Sequence, residues 1–149
     1  MSIKTTGFND FFDDMKSFGE DIDSIAESML EAGAEVTVAE WKKGIQEEHH
    51  RIVNPHGKGY IEKNGYIDTG DMEKSVESSK LKNARAAEIY PRGKDRKGVR
   101  NATKAYVLHY GKTTLPGSRF VDKIEDKAAP EVYDAMGKIM DDYLKKHGL

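Results

Sequence analysis

The sequence contains no cysteine, which excludes a disulfide scaffold, a thiol nucleophile and a zinc ribbon. No apolar run approaches the roughly 18 residues of a membrane span, so no membrane partner is expected. Met1–Asp10 lacks the basic start and apolar middle of a secretory signal; a soluble product of a cytoplasm is expected. Strongly apolar side chains are scarce. Leu, Ile, Val and Phe make up 29 of 149 residues, just under the roughly one-fifth that warns of disorder. Periodic apolar stretches and a formal net charge of only -2 argue for a folded chain. The length suits a single domain over 1–149, with a thin core helped by neighbouring subunits.

The small net charge hides a strong asymmetry. Residues 1–48 hold 12 acidic and 4 basic residues, 49–119 hold 7 and 15, and 120–149 hold 7 and 5. This pattern suits an acidic partner or head-to-tail contact between copies of the chain. It equally suits a basic stretch neutralised by the acidic helices of its own fold.

Apolar spacing sets the elements. Phe8, Phe11, Phe12 and Met15 fall on one face of a short helix that Gly19 ends. A longer helix starts near Asp21 or Asp23, with Ile22, Ile25, Met29, Ala32, Val36 and Ala39 as its stripe. Gly33 and Ala34 flank that stripe, and Trp41 and Ile45 extend the helix to just before Asn54-Pro55. Asn54–Gly65 reads as a loop. A short helix follows Asp68-Thr69-Gly70, capped by Asp68 or Thr69. Two polar strands, about Val76–Lys82 and Arg85–Tyr90, turn near Asn83. Pro91–Lys104 reads as a mobile Gly- and Arg-rich loop. Ala102, Ala105, Tyr106 and Tyr110 then form a helical face that Gly111 closes, and Lys112–Ser118 is another loop. The last helix, Arg119–Lys146, carries Val121, Ile124, Ala128, Val132, Ala135, Ile139 and Tyr143, with a kink or break expected at Pro130. The fold class is α+β, with long amphipathic N-terminal and C-terminal helices on a small antiparallel β-sheet.

No catalytic, cofactor or metal site is expected. His49 and His50 are adjacent, so on a helix they point about 100° apart and rarely share an ion; His56 adds no zinc spacing. Gly57-Lys58-Gly59 and Gly93-Lys94 do not fit the phosphate-loop pattern. No serine lies in G-x-S-x-G, and no carboxylate pair stands in an apolar setting. The chain is therefore not expected to be an enzyme. Lys80–Lys112 does carry ten basic residues against Glu88 and Asp95. Its densest part, Arg92, Lys94, Arg96, Lys97 and Arg100, is the candidate contact loop for a protein partner or, non-specifically, for DNA phosphates.

The order of motifs in the middle and C-terminal segments is more telling than any one of them. Asp68-Thr69-Gly70 opens a short helix ending Ser75-Val76. A polar hairpin and an Arg-rich loop follow. Then come Tyr106-Val107-Leu108-His109-Tyr110-Gly111-Lys112-Thr113, Pro116 and Arg119-Phe120, leading into a terminal helix. From about Ile3 to Leu144 this resembles the tail-completion, or head–tail joining, proteins of lambda-like long-tailed bacteriophages, also described as minor tail components. It departs from them at Met72-Glu73, where Leu-Arg is usual, and at Arg119-Phe120, where a proline often intervenes.

The resemblance implies a structural virion protein of a phage or prophage. It would be made in the host cytoplasm and placed at the neck between head connector and tail tube. It would form a homo-oligomeric ring in the particle and be monomeric when free, with head connector and tail proteins as partners. A tail terminator of the same region is the neighbouring reading, and a small DNA-binding module using residues 80–112 is the reading from another class. Asp68, Thr69, Gly70, Tyr106, Tyr110, Gly111, Pro116, Arg119 and Phe120 are expected to set the fold.

Overall fold

A computed structural model describes residues 22–53, 69–82 and 85–148. Helix α1 spans Ile22–Val53, and a four-residue helix, α2, spans Asp71–Lys74. Strands β1 (Val76–Lys80) and β2 (Ala87–Pro91) precede helix α3, Asn101–Tyr110. Two dipeptide strands, β3 (Gly111–Lys112) and β4 (Leu115–Pro116), lead to helix α4, Phe120–Lys146. The architecture is the expected α+β one: two long helices with a small antiparallel sheet. The expected helix around Phe8 and Phe11, the Asn54–Gly65 loop, Asp68 and the Asn83 turn lie outside the described residues.

The fold is built on α1 and α4. At about 1.5 Å per residue they run roughly 48 and 40 Å. The buried line on α1 is Ile22, Ala26, Met29, Gly33, Thr37, Glu40, Gly44 and Glu48. Its steps repeat every eleven residues, close to the natural twist of a straight helix. The expected stripe stepped by three and four, a period of 3.5, and so drifts off the seam by about 20° per heptad. Ile22, Ile25 and Met29 are buried as expected, Ala32 and Val36 only half so, and Ala39 is exposed.

Glycine makes the helix contact close. A Cβ added at Gly44 would lie 2.5 Å from both Cγ1 and Cδ1 of Ile124 on α4. Beside it sits the main core: Trp41, Ile45, Leu108, Leu115, Phe120 and Ile124 are nearly inaccessible. The Trp41 and Phe120 rings meet edge to face at 5.9 Å, a favoured aromatic geometry. A second, smaller cluster holds α1 to α4 at the other end through Ile22, Ile25, Ala26, Met29, Met136 and Met140. Pro130 does not divide α4, which is one continuous helix. Its stripe is buried at Val121, Ile124 and Ala128 and half-buried from Val132 to Tyr143, where Met136 and Met140 take the inner positions.

The hairpin pairs antiparallel with Val76 opposite Pro91 and Lys80 opposite Ala87. Strand alternation sends Val76, Ala87, Ile89 and Pro91 inward and leaves Glu77, Ser79, Glu88 and Tyr90 on the polar side. Its cations reach back to α1. Lys80 Nζ lies 2.8 Å from Glu31 and 3.9 Å from Glu27, and Arg85 lies 3.1 Å from Asp23. Part of the sequence dipole is thus cancelled inside the molecule.

Candidate functional site

The Gly- and Arg-rich segment is a loop over 92–100 with hydrogen bonds of its own, and residues 101–104, expected as part of it, open α3. Asp95 organises it. Its Oδ1 accepts the amides of Lys97 and Val99, both at 2.9 Å, while its Oδ2 pairs with Lys104 on α3. The Gly98 amide closes a turn on the Asp95 carbonyl at 2.9 Å, and Gly98 takes φ 83. Lys94 and Arg100 form a β-bridge across the base. Asn101, 1% exposed, donates through Nδ2 to the Arg92 carbonyl at 2.8 Å. Hydrogen bonding to Lys104 lowers the Asp95 pKa despite its burial. Asp95 at the first position and Gly98 at the fourth are a turn signal that was present in the sequence.

The five candidate contact residues divide. Arg96 is committed to the fold: its guanidinium grips Asp71 at 2.8 and 3.0 Å and donates to the Thr69 carbonyl at 3.1 Å. Those hydrogen bonds hold the Asp71 carboxyl well below the usual carboxylate range. Arg92 lies over the Tyr90 ring, 4.3 Å from its centroid, and donates to Tyr90 Oη and Ser79 Oγ. Lys94, Lys97 and Arg100 are exposed and form no ion pair among the described residues. The loop therefore presents three cations without ion pairs among the described residues, on a frame of internal hydrogen bonds.

A cavity of about 590 Å³ opens between this loop and α2, lined by Asp71, Lys74, Glu77, Arg92, Lys94 and Arg96 among others. Among the residues that line it, Arg92 Nε and Asn101 Oδ1 are buried without a protein partner, one a donor and the other an acceptor. Asp71 and nearby Asp95 are both held low by cations, so neither is tuned to exchange protons near neutral pH. Among the described residues no group of three or more His, Asp or Glu converges as a metal site. His56 and the His50 side chain lie outside the described residues.

The fold-setting positions are placed as follows. Gly70, at φ 73, occupies the N-cap of α2. Thr69 takes a lesser part than expected, its hydroxyl accepting the Asp71 amide at 3.3 Å. Phe120, 2% exposed, opens α4 inside the core. Gly111 closes α3 at φ 88; a side chain there would run into the Gly117 backbone, and one at Gly117 into the backbone of His109 and Tyr110. Pro116 sits in β4 of that miniature hairpin, which was expected as plain loop.

Tyr106 and Tyr110 face outward, 59% and 49% exposed, contrary to the expected inner face. Of the expected face only Ala105 is buried; Asn101, Leu108 and His109 join it on the inner side of α3. The tyrosine rings pack at 4.6 Å, and Arg119, at φ 56, lies 5.3 Å from the Tyr110 ring.

His109 joins two helix ends. The α3 carbonyls of Leu108 and His109 accept the Ser118 and Arg119 amides. His109 Nδ1 in turn accepts the Val121 amide at 3.3 Å, in the first turn of α4. The ring is therefore neutral with its proton on Nε2, which faces Asp122 at 3.7 Å. Burial lowers its pKa, against the pull of Asp122, and Arg119 adds to the lowering.

No protein family, curated protein or solved structure matches this chain. No helix of the described residues is long and apolar enough to cross a membrane.

Proposed function

We propose that the chain is a structural component of a phage or prophage particle, a tail-completion or head–tail joining protein of the neck. It assembles as a homo-oligomeric ring between head connector and tail tube and is monomeric before assembly. Its place is the virion, reached from the host cytoplasm. The observation that carries this reading is where the chemistry sits. Asp71 and Asp95 beside the cavity are neutralised by the fold, whereas Lys94, Lys97 and Arg100, without ion pairs among the described residues, and the tyrosines Tyr106 and Tyr110 are exposed on the 94–100 loop and on α3, which follows it directly. Firm surfaces rich in Tyr and Arg suit protein contact. The motif order of the sequence supports the same class, and a tail terminator is its near neighbour.

Imaging particles made without the gene tests the reading. Filled heads beside unattached tails are expected; normal infectious virions would refute it. A second reading, non-specific DNA contact, is favoured by the free Lys94, Lys97 and Arg100. Three phosphate contacts would give a log–log salt slope of about -3.

A further inference from the structure

Two exposed tyrosine patches of opposite charge lie on different helices. The first is the outer side of α3, where Ala102, Thr103, Tyr106 and Tyr110 are exposed and none is charged. Val99, 43% exposed, continues it. The unpaired cations of this region are Lys94, Lys97, Arg100 and Lys112, and its single acid, Asp95, is buried.

The second patch is the outer side of α4. Tyr133 is 58% exposed. Asp126, seven residues before it, lies on the same side of the helix, and Asp134 and Asp141 lie about 80–100° round on the exposed half of α4. One turn on from Tyr133, a Cβ added at Gly137 would meet nothing within 4 Å, so the helix surface there is open. The exposed acids from 123 to 142 without an ion pair among the described residues are Asp126, Glu131, Asp134, Asp141 and Asp142. Taken over the whole exposed side of the helix they stand against Lys123 and Lys138, for a net of -3, while the loop and α3 region is +4.

We infer that the α3 patch of one molecule docks on the α4 patch of a second copy. Tyr106 and Tyr110 lie over the open helix surface at Gly137, near Tyr133, and the cations of the loop face the acids of α4. Tyrosine and arginine anchor interface cores, and opposite charge steers the encounter and sets its register. The two patches differ, so the contact is head-to-tail, and repeated copies close as a ring or run on as a filament. This deepens the neck reading by naming the surface through which the ring grows, and it rests on that reading only for closure.

Two variants separate the faces. Arg100→Glu with Tyr106→Ala spoils the basic one; Asp134→Lys with Asp141→Lys spoils the acidic one. All four positions are exposed, and Arg100 is the N-cap of α3, where an acid suits the helix end. Melting by circular dichroism checks that both fold. Sedimentation velocity on the full chain at low salt, up to about 1 mM, reads association. Wild type is expected to be monomeric when dilute, as the neck reading has it, and to gain mass only as the concentration nears about 1 mM, less so in high salt. Each variant alone is expected to associate at least about tenfold more weakly. Their equimolar mixture is expected to give a 1:1 dimer and nothing larger, since each supplies one intact face. A wild type that stays monomeric, variants that associate like wild type, or a mixture that stays monomeric would each overturn the inference. Particles that need the chain yet assemble normally with the Arg100→Glu, Tyr106→Ala variant overturn this interface and leave the neck reading. Particles that do not need the chain overturn the neck reading and leave the sedimentation result.

Discussion

Replacing glycine by alanine at two helix positions should move stability in opposite directions. Both Gly44 on α1 and Gly137 on α4 are helix-interior glycines. In a helix interior alanine is favoured over glycine by about 1 kcal/mol, because glycine loses more backbone freedom on folding. At Gly137 an added Cβ meets nothing within 4 Å, so Gly137→Ala should gain up to about 1 kcal/mol. At Gly44 the new methyl would lie 2.5 Å from two carbons of Ile124, which is itself 2% exposed and hemmed in by the main core. Overpacking of that kind costs about 1–3 kcal/mol. After the propensity gain, Gly44→Ala should lose about 1 kcal/mol, leaving the two variants roughly 2 kcal/mol apart. In a chain of this size that is a difference in melting temperature of about 4–8 °C, at 2–4 °C per kcal/mol. Thermal and urea melts read it directly. A second variant assigns the cause. Ile124→Val removes Cδ1 and should cost about 1 kcal/mol alone, yet it should cost less, or nothing, on top of Gly44→Ala. Equal stabilisation by both alanines, or strict additivity of Gly44→Ala with Ile124→Val, would refute the close α1–α4 contact.

Other consequences can be measured independently. His109 is neutral in the folded state with a lowered pKa, so the unfolded chain binds its proton first, near pH 6.5. The contribution is therefore fully present above about pH 6.5 and is lost as pH falls toward the folded value. His109→Gln should flatten that slope in urea melts across the window, and an unchanged slope would contradict the role of Nδ1. Asp95→Asn should strip amide protection from Lys97 and Val99 in hydrogen exchange while leaving Ile45 and Leu108 protected; full protection of the loop in the variant would show that Asp95 does not organise it. Lys80→Ala, which loses only exposed ion pairs to Glu31 and Glu27, should change the melting midpoint by little, since such pairs contribute about 0–1 kcal/mol.

The long helices and the hairpin were legible because their signals are local. Apolar spacing marked α1 and α4, and weak alternation between turn residues marked β1 and β2 close to their observed bounds. The register of α1 was not legible, because five of the eight residues on its buried line are Gly33, Thr37, Glu40, Gly44 and Glu48, which no apolar pattern selects. On α3 the sets Ala102–Tyr106–Tyr110 and Asn101–Ala105–Leu108 are offset by one residue and have similar spacing. Only tertiary bonds, such as that from Asn101 to the Arg92 carbonyl, decide which set turns inward. For the surface, composition located the cations, but only the ion pairs with Asp71, Glu31 and Asp23 reveal which of them are already committed. The β3–β4 hairpin was hidden because it depends on the mutual approach of Gly111 and Gly117, six residues apart.

Locating and counting the chain in purified particles tests the proposed role most directly. Antibody labelling in electron microscopy, together with quantitative mass spectrometry, should place several copies at the head–tail junction of each particle. Its absence from purified particles, or a single copy bound elsewhere, would contradict the account.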